Sequence, residues 1–154
     1  MENDQRQAGH TKHRNLYLSV LFILLIGAFY RIPGLARDQR FHPDEAFYAD
    51  LSRRVGIWGD WQLHDVTFDK PPFFFFTGGF FHRILGVSEF STRLPNAFAS
   101  LIALALVFTL THHLTKNLRT AVLAALLVAL SPLDIALAIS GFIDSPLVMW
   151  LLLS

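Results

Sequence analysis

Two carboxylates stand side by side at Asp44-Glu45, and Tyr48 follows four residues after Asp44. In a helix, residues four apart share a face, so the Asp44 acid and the phenol would point the same way. A carboxylate within hydrogen-bond reach of a hydroxyl can take its proton as a general base. The plainer reading is a helix start: His42-Pro43 precedes the pair, proline suits a first turn, and acids there complement the helix dipole.

A second group is Asp69-Lys70-Pro71-Pro72. The two prolines hold the local backbone with little freedom left to lose. An ammonium group placed there could stabilise charge that builds up on a phosphate leaving group. It could equally be an interfacial lysine that snorkels beside prolines opening a helix.

Asp144 is the third candidate, an ionisable side chain in an apolar stretch and therefore costly in lipid. Its structural alternative is a helix cap, since Ser145-Pro146 follows. Metal binding rests on His42 and His64, which share a segment with Asp44, Glu45 and Asp69. Nitrogen and oxygen ligands of this kind suit a divalent cation, with His42 and Asp69 as candidates, but no tight ligand spacing supports a site. A divalent metal is the only cofactor these residues suggest, and none is certain.

The elements that must position these groups are set by hydrophobicity. Of the 154 residues, 53% are hydrophobic and only 16% charged, and the mean hydropathy is +0.41. The apolar residues fall into long blocks at 16–32, 94–107 and 120–130 instead of amphipathic stripes. Crossing a hydrocarbon core takes about 20 apolar residues, so the chain is expected to be an all-α, polytopic membrane protein. A net charge of +1 offers no field for nucleic acid, and with no cysteine there are no disulfides or thiolate metal sites.

Residues 1–15 form a polar tail, expected to be cytoplasmic, before a first span at 16–32. No small-residue cleavage site follows that span, so it reads as uncleaved. Arg31, Pro33 and Gly34 together predict its end, although basic residues on both sides leave orientation by charge a tie. The loop 33–71 then contains a helix opening at 42–45, along which Phe47, Leu51, Val55 and Trp58 recur at helical spacing, as in a helix lying on a membrane surface.

Further spans are expected at about 72–86, 94–113 and 120–143, with an incomplete one at 146–154. Pro132 and Asp134 interrupt 120–143. One kinked helix would put Asp144 across the membrane from Asp44, whereas two short half-crossings would keep them on one side. The final apolar run has no polar cap or basic stop signal, so the sequence reads as truncated.

The order of these features is more specific than any one of them. Asp44-Glu45-Ala46-Phe47-Tyr48-Ala49, Asp69-Lys70-Pro71-Pro72, Arg93-Leu94-Pro95, Ser131-Pro132 and Asp144-Ser145-Pro146 together resemble the N-terminal part of the C-type (GT-C) glycosyltransferases. Within that class the likeness is to the protein O-mannosyltransferase and aminoarabinose transferase group, and it runs over residues 16–154.

The resemblance implies a GT-C helical module with a large first external loop, in a prokaryotic plasma or inner membrane. It also implies transfer of a sugar from a polyprenyl-phosphate donor to a protein or lipid acceptor, with inversion and among membrane lipids. Carried over, Asp44 matches the catalytic aspartate and Glu45 its acidic neighbour. Tyr48 matches an aromatic of the same helix, Lys70 the lysine near the donor phosphate, and Asp144 a later aspartate lining the cavity. Asp69 stands where the group often has glutamate, and the four phenylalanines after Pro72 depart from its more aliphatic pattern. The group's remaining spans are absent, so the chain alone is expected to be inactive. The rival readings are a carrier of lipid-linked substrate and a non-catalytic subunit docking through residues 73–81.

Overall fold

The computed structural model describes residues 2–36, 40–64, 66–67 and 70–154, with side chains from Arg14 onward. Among them every regular element is helical: α1 Glu2–Leu35, α2 Pro43–Arg53, a π-helical turn Arg54–Trp58, α3 Pro72–Leu85, α4 Glu89–Thr115, α5 Leu118–Ala129, α6 Pro132–Ala138 and α7 Asp144–Leu153. Arg14–Leu35 of α1 and Glu89–Thr115 are long and apolar enough to cross a membrane, with mean hydropathies of 2.0 and 1.8. The bent pair α5 and α6 makes a third crossing if counted as one span. The chain is an all-α integral membrane protein. Helix α3 has 14 residues, about 21 Å at 1.5 Å each, which falls short of a hydrocarbon core of about 30 Å.

Two helix ends differ from the sequence expectation. Helix α1 runs through Pro33 to Leu35, although Arg31, Pro33 and Gly34 predicted a stop. Proline here removes one hydrogen bond in the last turn, and Arg31 turns inward to partners on other helices, so its charge does not mark an exit to water. Helix α4 starts at Glu89 instead of 94 because Ser88 and Ser91 form a reciprocal cap: Ser91 N donates to Ser88 Oγ at 3.1 Å and Ser88 N to Ser91 Oγ at 3.0 Å. That cap brings Arg93 inside the helix.

Residues 120–143 are divided between α5 and α6, bent by 60°, and the pair runs from the end where Leu118 packs near Leu16 to the end where Gly141 meets Glu45. Ser131 Oγ accepts from Asp134 N at 3.4 Å, and Pro132 occupies the first turn of α6, where a missing N–H costs nothing.

Helix α4 is the hub, packing against α1, α3, α5, α6 and α7. On α5 the small residues Ala121, Ala125 and Ala129 recur every four positions and are fully buried, while Leu123 and Leu127 are exposed. Lipid is as apolar as leucine, so close approach of small residues, not apolar burial, holds such helices together. The same device joins the loop to α3: a Cβ on Gly56 would lie 2.2 Å from the Gly79 carbonyl oxygen. Around that crossing Leu51, Val55, Leu63, Phe74 and Phe75 form a buried cluster, with Tyr48 and Ile143 packed on it.

Candidate active site

The first turn of α2 separates its two acids. His42 caps the helix, its Nδ1 accepting from Asp44 N at 3.4 Å, and Pro43 sets the first turn. Successive helical residues point about 100° apart, and here that rotation puts Asp44 and Glu45 on different faces. Asp44 faces out, its side chain 66% exposed, with His42 Nδ1 3.7 Å from its carboxylate. Glu45 faces in and is 4% exposed.

Every oxygen of Glu45 is engaged. Arg93 Nε donates to its Oε1 at 2.7 Å and Arg93 Nη2 to Oε2 at 3.4 Å. The Gly141 backbone N donates to Oε1 at 2.7 Å, and the His42 backbone N to Oε2 at 3.4 Å, closing the cap. Arg93, itself 3% exposed, lies 3.6 Å from Glu89 and 5.1 Å above the Phe41 ring. A charge buried this deeply persists because it is paired and hydrogen-bonded. A carboxylate so committed has no lone pair to spare for an incoming hydroxyl, whereas Asp44, one residue earlier, is open.

Three segments converge on this end of the bundle. Tyr48 lies edge-on to Phe74 at 5.8 Å and tilted to Phe75 at 6.0 Å, which ties α2 to the start of α3. Lys70 sits half-buried on the bend immediately before α3. The segment 139–143 lies over the N-terminus of α2: His42 meets the Phe142 ring at 5.5 Å, and Ile143 joins the cluster around Tyr48 and Phe74. Asp144 opens α7 directly after it and is exposed. Its neighbours therefore touch the neighbours of Asp44, so the two acids lie at the same end of the bundle. Asp69 lies outside the described residues. Among the described residues no group of three or more His, Asp or Glu side chains converges as metal ligands would.

The polar scaffold beneath these residues escaped the sequence reading. Along α4, Arg93, Asn96 and Ser100 are all buried and line one stripe. Asn96 Nδ2 donates to Ser140 O at 2.7 Å and also to Phe142 O. Ser100 Oγ donates to Asp134 Oδ2 at 2.7 Å. Arg31, fully buried, donates from Nε to Ser100 Oγ at 2.8 Å, from Nη1 to Ala129 O at 3.1 Å, and from Nη2 to Asp134 Oδ2. The available signal was the spacing 93, 96, 100, a polar stripe on an otherwise apolar span, together with Asp134 inside another.

A membrane-embedded helical module that presents an exposed carboxylate beside a buried, ion-paired one is the class of protein this fold defines. Residues 69–154 match the family described as dolichyl-phosphate-mannose-protein mannosyltransferase, and the chain belongs to that family. It is similar to proteins named undecaprenyl phosphate-alpha-4-amino-4-deoxy-L-arabinose arabinosyl transferase. With that of Pectobacterium carotovorum it shares 33% identity over 149 residues, covering 94% of this chain and 26% of the relative. For that of Pectobacterium atrosepticum the identity is 31%, over 86% of this chain and 24% of the relative. The Sodalis glossinidius protein is 28% identical over 87% and 24%. The chain thus spans about a quarter of the length of these curated relatives. No solved structure matches it.

Proposed function

We propose that this chain carries the first catalytic loop of an inverting membrane glycosyltransferase. Its donor is a sugar on a polyprenyl phosphate, and the relatives' names point to an aminopentose on undecaprenyl phosphate in preference to the mannose of the family description. The acceptor is a protein or lipid hydroxyl. Asp44 takes the proton of that hydroxyl as its oxygen bonds to the anomeric carbon. The bond from that carbon to the phosphate oxygen breaks on the opposite face, and Lys70 stabilises the charge left on the lipid phosphate. Tyr48 and Asp144 line the substrate site, and Glu45 holds the turn that presents Asp44. The N-terminus is cytoplasmic and the loop faces the external side. The rest of the machinery belongs to spans beyond these residues, and the isolated chain is inactive.

The observation that carries this reading is the division of labour between adjacent acids, one open to substrate and the other locked to Arg93 and Gly141. An anchoring subunit has no use for an open carboxylate supported in this way, and a carrier, whose acids would line a path, is separated from the enzyme by the absence of sugar transfer from the lipid donor. In the full-length protein, Asp44→Asn and Lys70→Ala should each abolish transfer of radiolabelled sugar from the lipid donor while membrane insertion stays intact. Transfer retained by Asp44→Asn would remove the general-base role.

A further inference from the structure

Between α6 and α7 the backbone N–H groups of Ile139 and Ser140 still bond Ile135 O and Leu137 O, and Ile143 O accepts from Leu147 N, but the polar backbone groups between them, Ser140 O, Gly141 N and Phe142 O, need partners from elsewhere. In a membrane protein water seldom supplies them. Two side chains do so here. Asn96 of α4 donates both amide hydrogens, one to Ser140 O at 2.7 Å and the other to Phe142 O. Glu45 of α2 accepts from the intervening Gly141 N at 2.7 Å. Three consecutive residues are thus gripped from two directions. The grip is close: a Cβ on Gly141 would lie 2.6 Å from Glu45 Cγ.

One end of this grip adjoins Asp44 along the chain, and the other leads in three residues to Asp144. We propose that Asn96 is a positioning residue that sets Asp144 relative to Asp44 through the backbone of 139–143. Its oxygen could not replace its nitrogen, since two carbonyls face it. The functional part of this inference rests on the glycosyltransferase reading, while the geometric part does not.

The chain has no cysteine, so nitroxide labels can be placed cleanly for distance measurement by pulsed electron resonance. With Asp44→Cys and Asp144→Cys in detergent micelles, one narrow distance distribution is expected. Asn96→Ala should broaden it, while a control pair at the far end of α1 and α4, Tyr17→Cys with Leu114→Cys, keeps its distribution. An unchanged 44–144 distribution overturns the proposal, as does equal broadening of both pairs. If Asn96→Ala does not yield monodisperse protein, Asn96→Ser, which keeps one donor, is judged by the same criterion with partial broadening expected.

In the full-length protein, Asp144→Asn and Asn96→Ala should each lower kcat/KM by about 10²-fold, the scale of a 1 Å misplacement. The double variant should lose no more than either single one, because both act through one group. Additive losses overturn the inference. A harmless Asp144→Asn would instead sink the role given to Asp144 and leave the distance measurement to decide the geometric claim.

Discussion

The two ends of this bundle are held together by different physics. At the loop end, α1, α2, α4, α6 and the 139–143 segment are joined by Arg31, Glu45, Arg93, Asn96, Ser100 and Asp134, all through directional contacts. At the far end, Ile23, Phe108, Ala121 and Ala125 form a cluster with Leu16, Val20, Leu118 and Leu126 on its border, and shape alone sets the fit. Small-residue packing tolerates sliding and rotation by fractions of an ångström. A guanidinium between two oxygens does not. The end that carries Asp44 uses the contacts with the sharper angular dependence, despite the higher cost of burying charge.

Breaking the polar end should have the largest effect. Arg93→Ala leaves Glu45 buried and unpaired, and a loss of about 3–5 kcal/mol is expected, read as a lowered melting temperature in detergent. The pair can sharpen the contrast when replaced whole. Glu45→Met with Arg93→Leu should recover most of that stability, since an apolar pair of similar volume is often neutral or better. Transfer activity should not return, because Gly141 N has lost its acceptor. Full recovery of both would make the pair merely structural.

At the far end, Ala125→Leu inserts volume at a fully buried position of α5, and overpacking should cost about 1–3 kcal/mol with little change in the residual kcat of the folded fraction. Smaller still is Leu127→Ala on the lipid-facing side of α5, where Leu127 is 76% exposed; an effect within about 0.5 kcal/mol is expected. A large loss there would show that this face is covered by protein.

The smallest effect belongs to the loop outside the bundle. Asp60 accepts from His64 N at 3.2 Å and meets His64 Nδ1 at 2.9 Å, and these contacts hold its carboxyl below its ordinary value of 3.8. A depressed folded value means the contribution is present above that ordinary value and is lost as the pH falls through the lower folded one. Amide exchange at His64 should therefore accelerate in acid, and Asp60→Asn should flatten that dependence.

Much of this was legible in the sequence because it is local. Apolar blocks mark the long helices, and His42-Pro43 marks the start of α2. Ser131-Pro132 marks the break before α6. Each of these depends on residues within about four positions, the range over which helix periodicity and capping act. The acidic pair Asp44-Glu45 was visible for the same reason, as was the lysine ahead of two prolines.

What the sequence left open was which acid of the pair faces outward and which is locked, and that choice lies between elements far apart along the chain. Arg93 lies 48 residues from Glu45, Ser140 lies 44 from Asn96, and Arg31 lies 69 from Ser100 and 103 from Asp134. An arginine at a helix end reads as an exit from the membrane until a partner appears on another helix, and an asparagine on an apolar span reads as a blemish. Only the packed bundle brings those partners within hydrogen-bond reach. Burial then decides between neighbours, since the acid turned inward must be paired and the one turned outward is left exposed.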